Sequence, residues 1–134
     1  MMDSEPVLPS AIIFSDGKIR DAETGKLTLT GIFHRIQASK VPFVSTPFFA
    51  TVFITNFHGE IRELPVTMNI EDASGQIVAT VAGRISATEI VSFRDMAEIS
   101  FPIAPIEFKV AGHYRTVVLI DGEPVGSRGF NVTL

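Results

Sequence analysis

The chain has 134 residues, a net charge of −4 and no cysteine. This length predicts a single domain over residues 1–134, large enough to bury about two-thirds of its surface. The lack of cysteine excludes disulfides, thiolate catalysis and cysteine-bound zinc, and the mild negative charge argues against a nucleic-acid partner.

Residues 1–10 carry acids and two prolines and are predicted to be an amino-terminal extension of the domain. They lack the basic end and the apolar run of a signal peptide. No segment of the chain is apolar for long enough to cross a bilayer. We therefore expect a cytoplasmic protein with no membrane partner.

Short predicted strands follow one another about a dozen residues apart, with turn residues between them. In chain order they are residues 11–14, 27–36, 48–57, 64–70, 76–82, 96–101, 114–120 and 123–134. Gly31 interrupts the second strand and indicates a bulge or a close backbone approach. Residues 86–89 fit a helix capping box, but residues 90–93 favour a strand, so the segment 86–94 is left open between a strand and a helical turn.

The last two strands form a predicted hairpin. Asp121-Gly122 between two β-prone runs favours a type I′ turn, because both central residues need positive φ. Tyr114, two residues after Gly112, occupies the place of the tyrosine corner of immunoglobulin-like domains. We expect its side chain to be buried and its hydroxyl to bond backbone upstream; the alternative is a half-buried tyrosine whose hydroxyl meets water. The pattern predicts an all-β fold, an antiparallel immunoglobulin-like β-sandwich of about seven to nine strands.

Two segments resemble a bacterial family of small β-domains of unknown function. Residues 21–33, DAETGKLTLTGIF, resemble the opening of that family, and residues 112–114 with 120–124 resemble its closing hairpin. The likeness covers residues 11–132. It implies this fold in a bacterial, cytoplasmic setting and brings no catalytic residues, because the family has no assigned activity.

The sequence offers no recognisable catalytic, metal or cofactor site. The three histidines are not at metal-ligand spacing, and there is no Gly-x-Ser-x-Gly elbow. If successive strands alternate in direction, loops 16–26, 57–62, 84–95 and 121–123 gather at one end. The residues of this polar end that best suit a ligand are Asp16, Asp21, His58 and Asp121. A small-molecule or ion-binding module using them is our second hypothesis, although basic residues nearly cancel the charge there.

The leading hypothesis is a non-enzymatic protein-interaction or self-assembling module, because 46% of the chain is hydrophobic, including 11 phenylalanines, and the mean hydropathy is +0.32. Obligate interfaces resemble a core cut in half. The loop 37–47 holds apolar residues between prolines. The strand at 48–57 is apolar on both faces, so the face that turns away from the core needs cover. Loops of the same chain could supply that cover, but we expect another chain to supply it. The predicted contact residues are Val41, Phe43, Val44 and Phe49.

We expect a protein partner or a homodimer. The alternative for Phe43 is that it closes the end of the core. An enzyme subunit with a site shared between chains is the third hypothesis.

Overall fold

The computed structural model describes residues 8–55, 63–85 and 97–134, and in these ranges every regular element is a β-strand. The strands are β1 (Leu8–Arg20), β2 (Leu27–Phe33), β3 (Arg35–Gln37), β4 (Phe43–Val44), β5 (Phe48–Thr55), β6 (Leu64–Glu71), β7 (Ile77–Ile85), β8 (Ala97–Ile103), β9 (Glu107–Phe108), β10 (Gly112–Ile120) and β11 (Glu123–Thr133). The open question about residues 86–94 lies outside the described ranges. The all-β prediction is confirmed for the part of the chain that the structure describes.

The strands form two main sheets. The first has the order β2-β1-β5-β8 and is antiparallel throughout. The second has the order β3-β11-β10-β6-β7 and is mixed, because β3 runs parallel to β11. A separate two-stranded ladder joins β4 to β9.

The described residues contain eleven strands, more than the seven to nine that the sequence predicts. The additional strands are the short ones. The predicted strand at 27–36 divides at His34 into β2 and β3, which join different sheets. The strands β4 and β9 lie in segments that read as loops because each is only two residues long.

The inner faces of the two sheets share one hydrophobic core. Alternate residues of β5 and β6 are buried, as a period of two requires, and the buried sets are Phe48, Ala50, Val52, Ile54, Val66, Met68 and Ile70. Phe14 of the first sheet and Phe130 of the second bring their ring centres to 5.4 Å across this core. Each of these two strands therefore directs one face into the core.

Both expectations for the closing hairpin are confirmed. Asp121 and Gly122 have φ of 53° and 82°, the positive values that a type I′ turn needs. Tyr114 is only 2% exposed, and its hydroxyl donates to the Val110 carbonyl oxygen at 2.6 Å. Burial raises the pKa of Tyr114 above its usual value, so the hydroxyl keeps the proton that it donates.

Replacing Tyr114 by phenylalanine is expected to lower the free energy of unfolding by about 1 kcal/mol, the net contribution of one hydrogen bond. The ring contacts with Phe108 and Phe130 remain, so the substitution tests the hydroxyl alone. Thr116→Val is the matched control: the Thr116 hydroxyl is also buried but has no hydrogen-bond partner in the described residues, so its loss should not destabilise. Urea denaturation of both variants provides the measurement, and equal effects would contradict the role of the Tyr114 hydroxyl.

Candidate functional site

The hairpin of β1 and β2 folds back across the outer face of the first sheet. Strand register places Ala11 beside Phe53, and Phe53 beside Glu98. Arg20 follows Ala11 by nine residues, which is about 30 Å along a straight strand. Its Nη2 nevertheless lies 2.5 Å from Oε1 of Glu98. Strand β1 must therefore bend back on itself, and we call the folded-back part, residues 16–32, the arm.

Two glycines permit the bend at the base of the arm. Gly31 lies opposite Asp16 and has a φ of 64°, and a Cβ there would stand 2.5 Å from Oδ2 of Asp16. A Cβ at Gly17 would stand 2.7 Å from Oγ1 of Thr30. The close approach that Gly31 predicts in the sequence is confirmed, and it occurs where β1 and β2 leave the plane of the sheet.

The tip of the arm is a compact turn around Asp21. Its Oδ1 accepts the backbone N–H groups of Glu23 and Thr24, both at 2.8 Å. These backbone hydrogen bonds, the one from Thr24 first, lower the pKa of Asp21. The carboxylate is thus already used to hold the turn together.

Beneath the arm lies a cleft of about 610 Å³. It is lined by Gly25, Lys26, Leu27, Leu29 and Ile32 of the arm and by Phe53 and Glu98 of the sheet. Four of these side chains are large and apolar. Glu98 is held by Arg20 through one oxygen, and its Oε2 has no hydrogen-bond partner in the described residues. In size the cleft falls in the range of binding sites, and its lining suits apolar side chains.

The arm also covers part of the face that the sequence suggests another chain covers. Nζ of Lys18 lies 5.5 Å from the centre of the Phe49 ring, which is half-buried. Thr51, two residues on, is 0% exposed, and its hydroxyl bonds the Ser100 hydroxyl at 2.9 Å. The outer face of β5 therefore receives cover from the chain itself.

A second, smaller pocket of about 260 Å³ lies at one end of the core. It is lined by Asp16, Phe33, Arg35, Ile36, Gln37, Phe43, Ser45, Thr46 and Phe48. Phe43 pairs with Phe108 and packs against the core, while Ser45 and Ile106 exchange hydrogen bonds below it. This packing agrees with the alternative left open in the sequence, in which Phe43 closes the end of the core.

The four predicted contact residues do not form one patch. Val41 and Phe43 are half-buried and Val44 is exposed, and Phe43 and Val44 form β4. Phe49 lies on the outer face of β5 beneath Lys18. The exposed side chains of Ile19 and Ile32 on the arm are not among the contact residues that the sequence predicts.

The structure places Asp16, one of the predicted polar-end residues, far from Asp121. Asp16 lines the end pocket with Phe43, which pairs with Phe108, and the Phe108 ring lies 4.9 Å from that of Tyr114. Asp121 follows Tyr114 by seven residues, about 23 Å further along β10. Asp21 lies at the tip of the arm. His58 lies outside the described residues, and nowhere in ranges 8–55, 63–85 and 97–134 do three or more His, Asp or Glu residues group as metal ligands would.

The fold and this site define a small β-domain with two sheets around one core and a hairpin arm across one outer face. The chain belongs to a family of unknown function, DUF6941, whose sequence profile matches residues 10–133. This match confirms the resemblance to a family of small β-domains of unknown function.

Other comparisons add no functional assignment. The chain is similar to the solved structure of Pseudomonas fluorescens alkylpurine DNA glycosylase AlkC bound to DNA containing an abasic site analog, with a TM-score of 0.47 and 14% identity. That likeness covers 75% of this chain and 28% of the glycosylase chain. No curated protein matches the sequence. Within the described ranges, no helix has the length and apolar character needed to span a membrane.

Proposed function

We propose that this chain is a non-enzymatic, immunoglobulin-like β-domain that self-associates, with the arm as its contact surface. The immunoglobulin-like assignment is supported by the Tyr114 corner and by the two sheets around one core. The absence of any charge relay in the cleft supports a binding role: its ionisable lining residues in the described part are Lys26 and Glu98, and Arg20 already holds Glu98.

The observation that carries this proposal is the exposure of large aliphatic side chains on the arm. Ile19 is 61% exposed and Ile32 is 64% exposed. Ile32 lines the cleft together with Leu27 and Leu29. Clustered apolar surface on a small domain marks a site of protein contact, because single exposed residues are common but contiguous patches are rare.

Sedimentation equilibrium at micromolar concentration is expected to give a mass of twice 14.6 kDa. Ile19→Glu and Ile32→Glu should shift the equilibrium towards monomer, because each places a charge in the apolar contact. Ile77→Glu is the matched control, since Ile77 is similarly exposed but lies on β7 of the other sheet. A wild-type chain that stays monomeric across the concentration range would refute the proposal.

A further inference from the structure

Strand β2 forms an edge of the first sheet. Among the described residues it pairs with β1 alone. The side of an edge strand that faces away from its neighbour presents a row of backbone N–H and C=O groups that can pair with another extended chain. The free side of β2 therefore presents a defined pattern of backbone hydrogen-bond donors and acceptors.

This edge lacks the residues that usually prevent strand pairing. Proteins protect edge strands with charged side chains or proline. The sequence of β2, LTLTGIF, contains neither. The other outer strands of the two main sheets each carry at least one such residue: β8 has Glu98 and Pro102, β7 has Arg84 and β3 has Arg35.

The register shows which backbone groups of β2 point outward. The Asp21 N–H donates to the Lys26 carbonyl at 2.9 Å, so hydrogen bonding to β1 falls on every second residue from Lys26 onward. Thr28 and Thr30 consequently direct their backbone groups towards β1. Leu27 and Leu29 direct theirs towards the free edge.

The side chains on both faces of β2 are compatible with pairing to a second copy of the same strand. Only alternate residues offer outward backbone groups, so an antiparallel pair of β2 strands places odd-numbered residues opposite odd-numbered ones. In the register centred on Leu29, Leu29 lies opposite Leu29 and Thr28 lies opposite Thr30 of the second copy. Such cross-strand pairs are favourable, and the uncharged strand brings no like charges together. The strand is therefore complementary to itself, as a two-fold contact requires.

We propose that two copies of this chain pair β2 with β2 in antiparallel fashion, which joins their first sheets into one continuous sheet. This inference rests on the proposed self-association and specifies its geometry. The leucines of both copies then lie on the cleft side of the joined strands, and the threonines lie on the opposite side.

Hydrogen exchange tests the backbone pairing directly. The amides of Leu27 and Leu29 should exchange slowly in the dimer and at least about tenfold faster when the protein is diluted to monomer. The amides of Thr28 and Thr30 bond β1 and should be protected in both states. Fast exchange at Leu27 and Leu29 in a chain shown to be dimeric would overturn the inference.

Charge-swapped variants test the self-complementarity. Thr28→Glu with Thr30→Glu, and separately Thr28→Lys with Thr30→Lys, should each weaken the dimer by about tenfold or more at low salt, because like charges face each other across the axis. An equimolar mixture of the two variants should restore association as a heterodimer. Thr80→Glu with Ala82→Glu, on the edge strand β7, is the matched control and should leave the dimer unchanged.

The outcomes separate the two proposals. A monomeric wild-type chain refutes self-association itself. A wild-type dimer that neither pair of substitutions weakens leaves self-association standing and overturns the β2 pairing. Weakening without rescue by the mixture also overturns it, because the contact would then use this surface without placing the two strands side by side. Unchanged melting temperatures of the variants exclude unfolding as the cause.

Discussion

Replacing Phe14 by alanine is expected to lower the free energy of unfolding by about 3–5 kcal/mol, the usual effect of emptying a buried phenylalanine site. Phe14 is fully buried and its ring contacts those of Phe33, Phe48 and Phe130. It also lies under the guanidinium of Arg128, whose Nη1 donates to the Ile12 carbonyl. One side chain thus packs against both sheets and the base of the arm.

Urea denaturation of Phe14→Ala measures this loss, and Phe49→Ala is its control. Phe49 is a neighbouring aromatic residue of the first sheet, but it lies half-buried on the outer face, so less apolar contact is removed and the loss should be smaller. If the two substitutions lower the free energy of unfolding equally, the core does not centre on Phe14 and its ring contacts.

Replacing Thr51 by glutamate is expected to destabilise the chain by a similar or larger amount, on the order of 3–5 kcal/mol, because a charge would be buried without a partner. The residue is fully buried although it lies on the outer face of β5. Its one described side-chain partner is the Ser100 hydroxyl, which cannot neutralise a carboxylate.

Thr51→Val provides the matched comparison. It keeps the shape of the side chain and removes the hydrogen bond to Ser100, so the expected cost is about 1 kcal/mol. Thermal denaturation of Thr51→Glu and Thr51→Val measures both losses of stability. A folded Thr51→Glu chain with wild-type stability would mean that the outer face of β5 is open to solvent.

The burial of Phe14 and Thr51 agrees with the proposed contact at the arm. The inner face is occupied by the core, and the middle of the outer face is already covered at Thr51 and Phe49. Exposed apolar surface remains at Ile19 and Ile32, on the folded-back strands. A partner that joins the arm adds to the sheet without displacing any packed group.

Local pattern in the sequence determined the elements whose residues interact with near neighbours. The alternation of apolar and polar residues in β6 identified its buried face, since the side-chain period of a strand is two. The Asp121-Gly122 turn followed from the need for positive φ at two adjacent positions. Tyr114 could be placed because its hydroxyl bonds Val110, only four residues away.

Only the tertiary structure showed the path that the arm follows and which residues come together at the candidate site. The polar residues 16–20 read as a loop, yet they continue β1, because Arg20 pairs with Leu27 across the hairpin and bonds Glu98, which is 78 residues away. Such long-range partners leave no periodic trace in the sequence around them. The same continuation places Asp16 at the end pocket beside Phe43, far from Asp121, since pairing with β2 rather than local propensity determines where β1 ends.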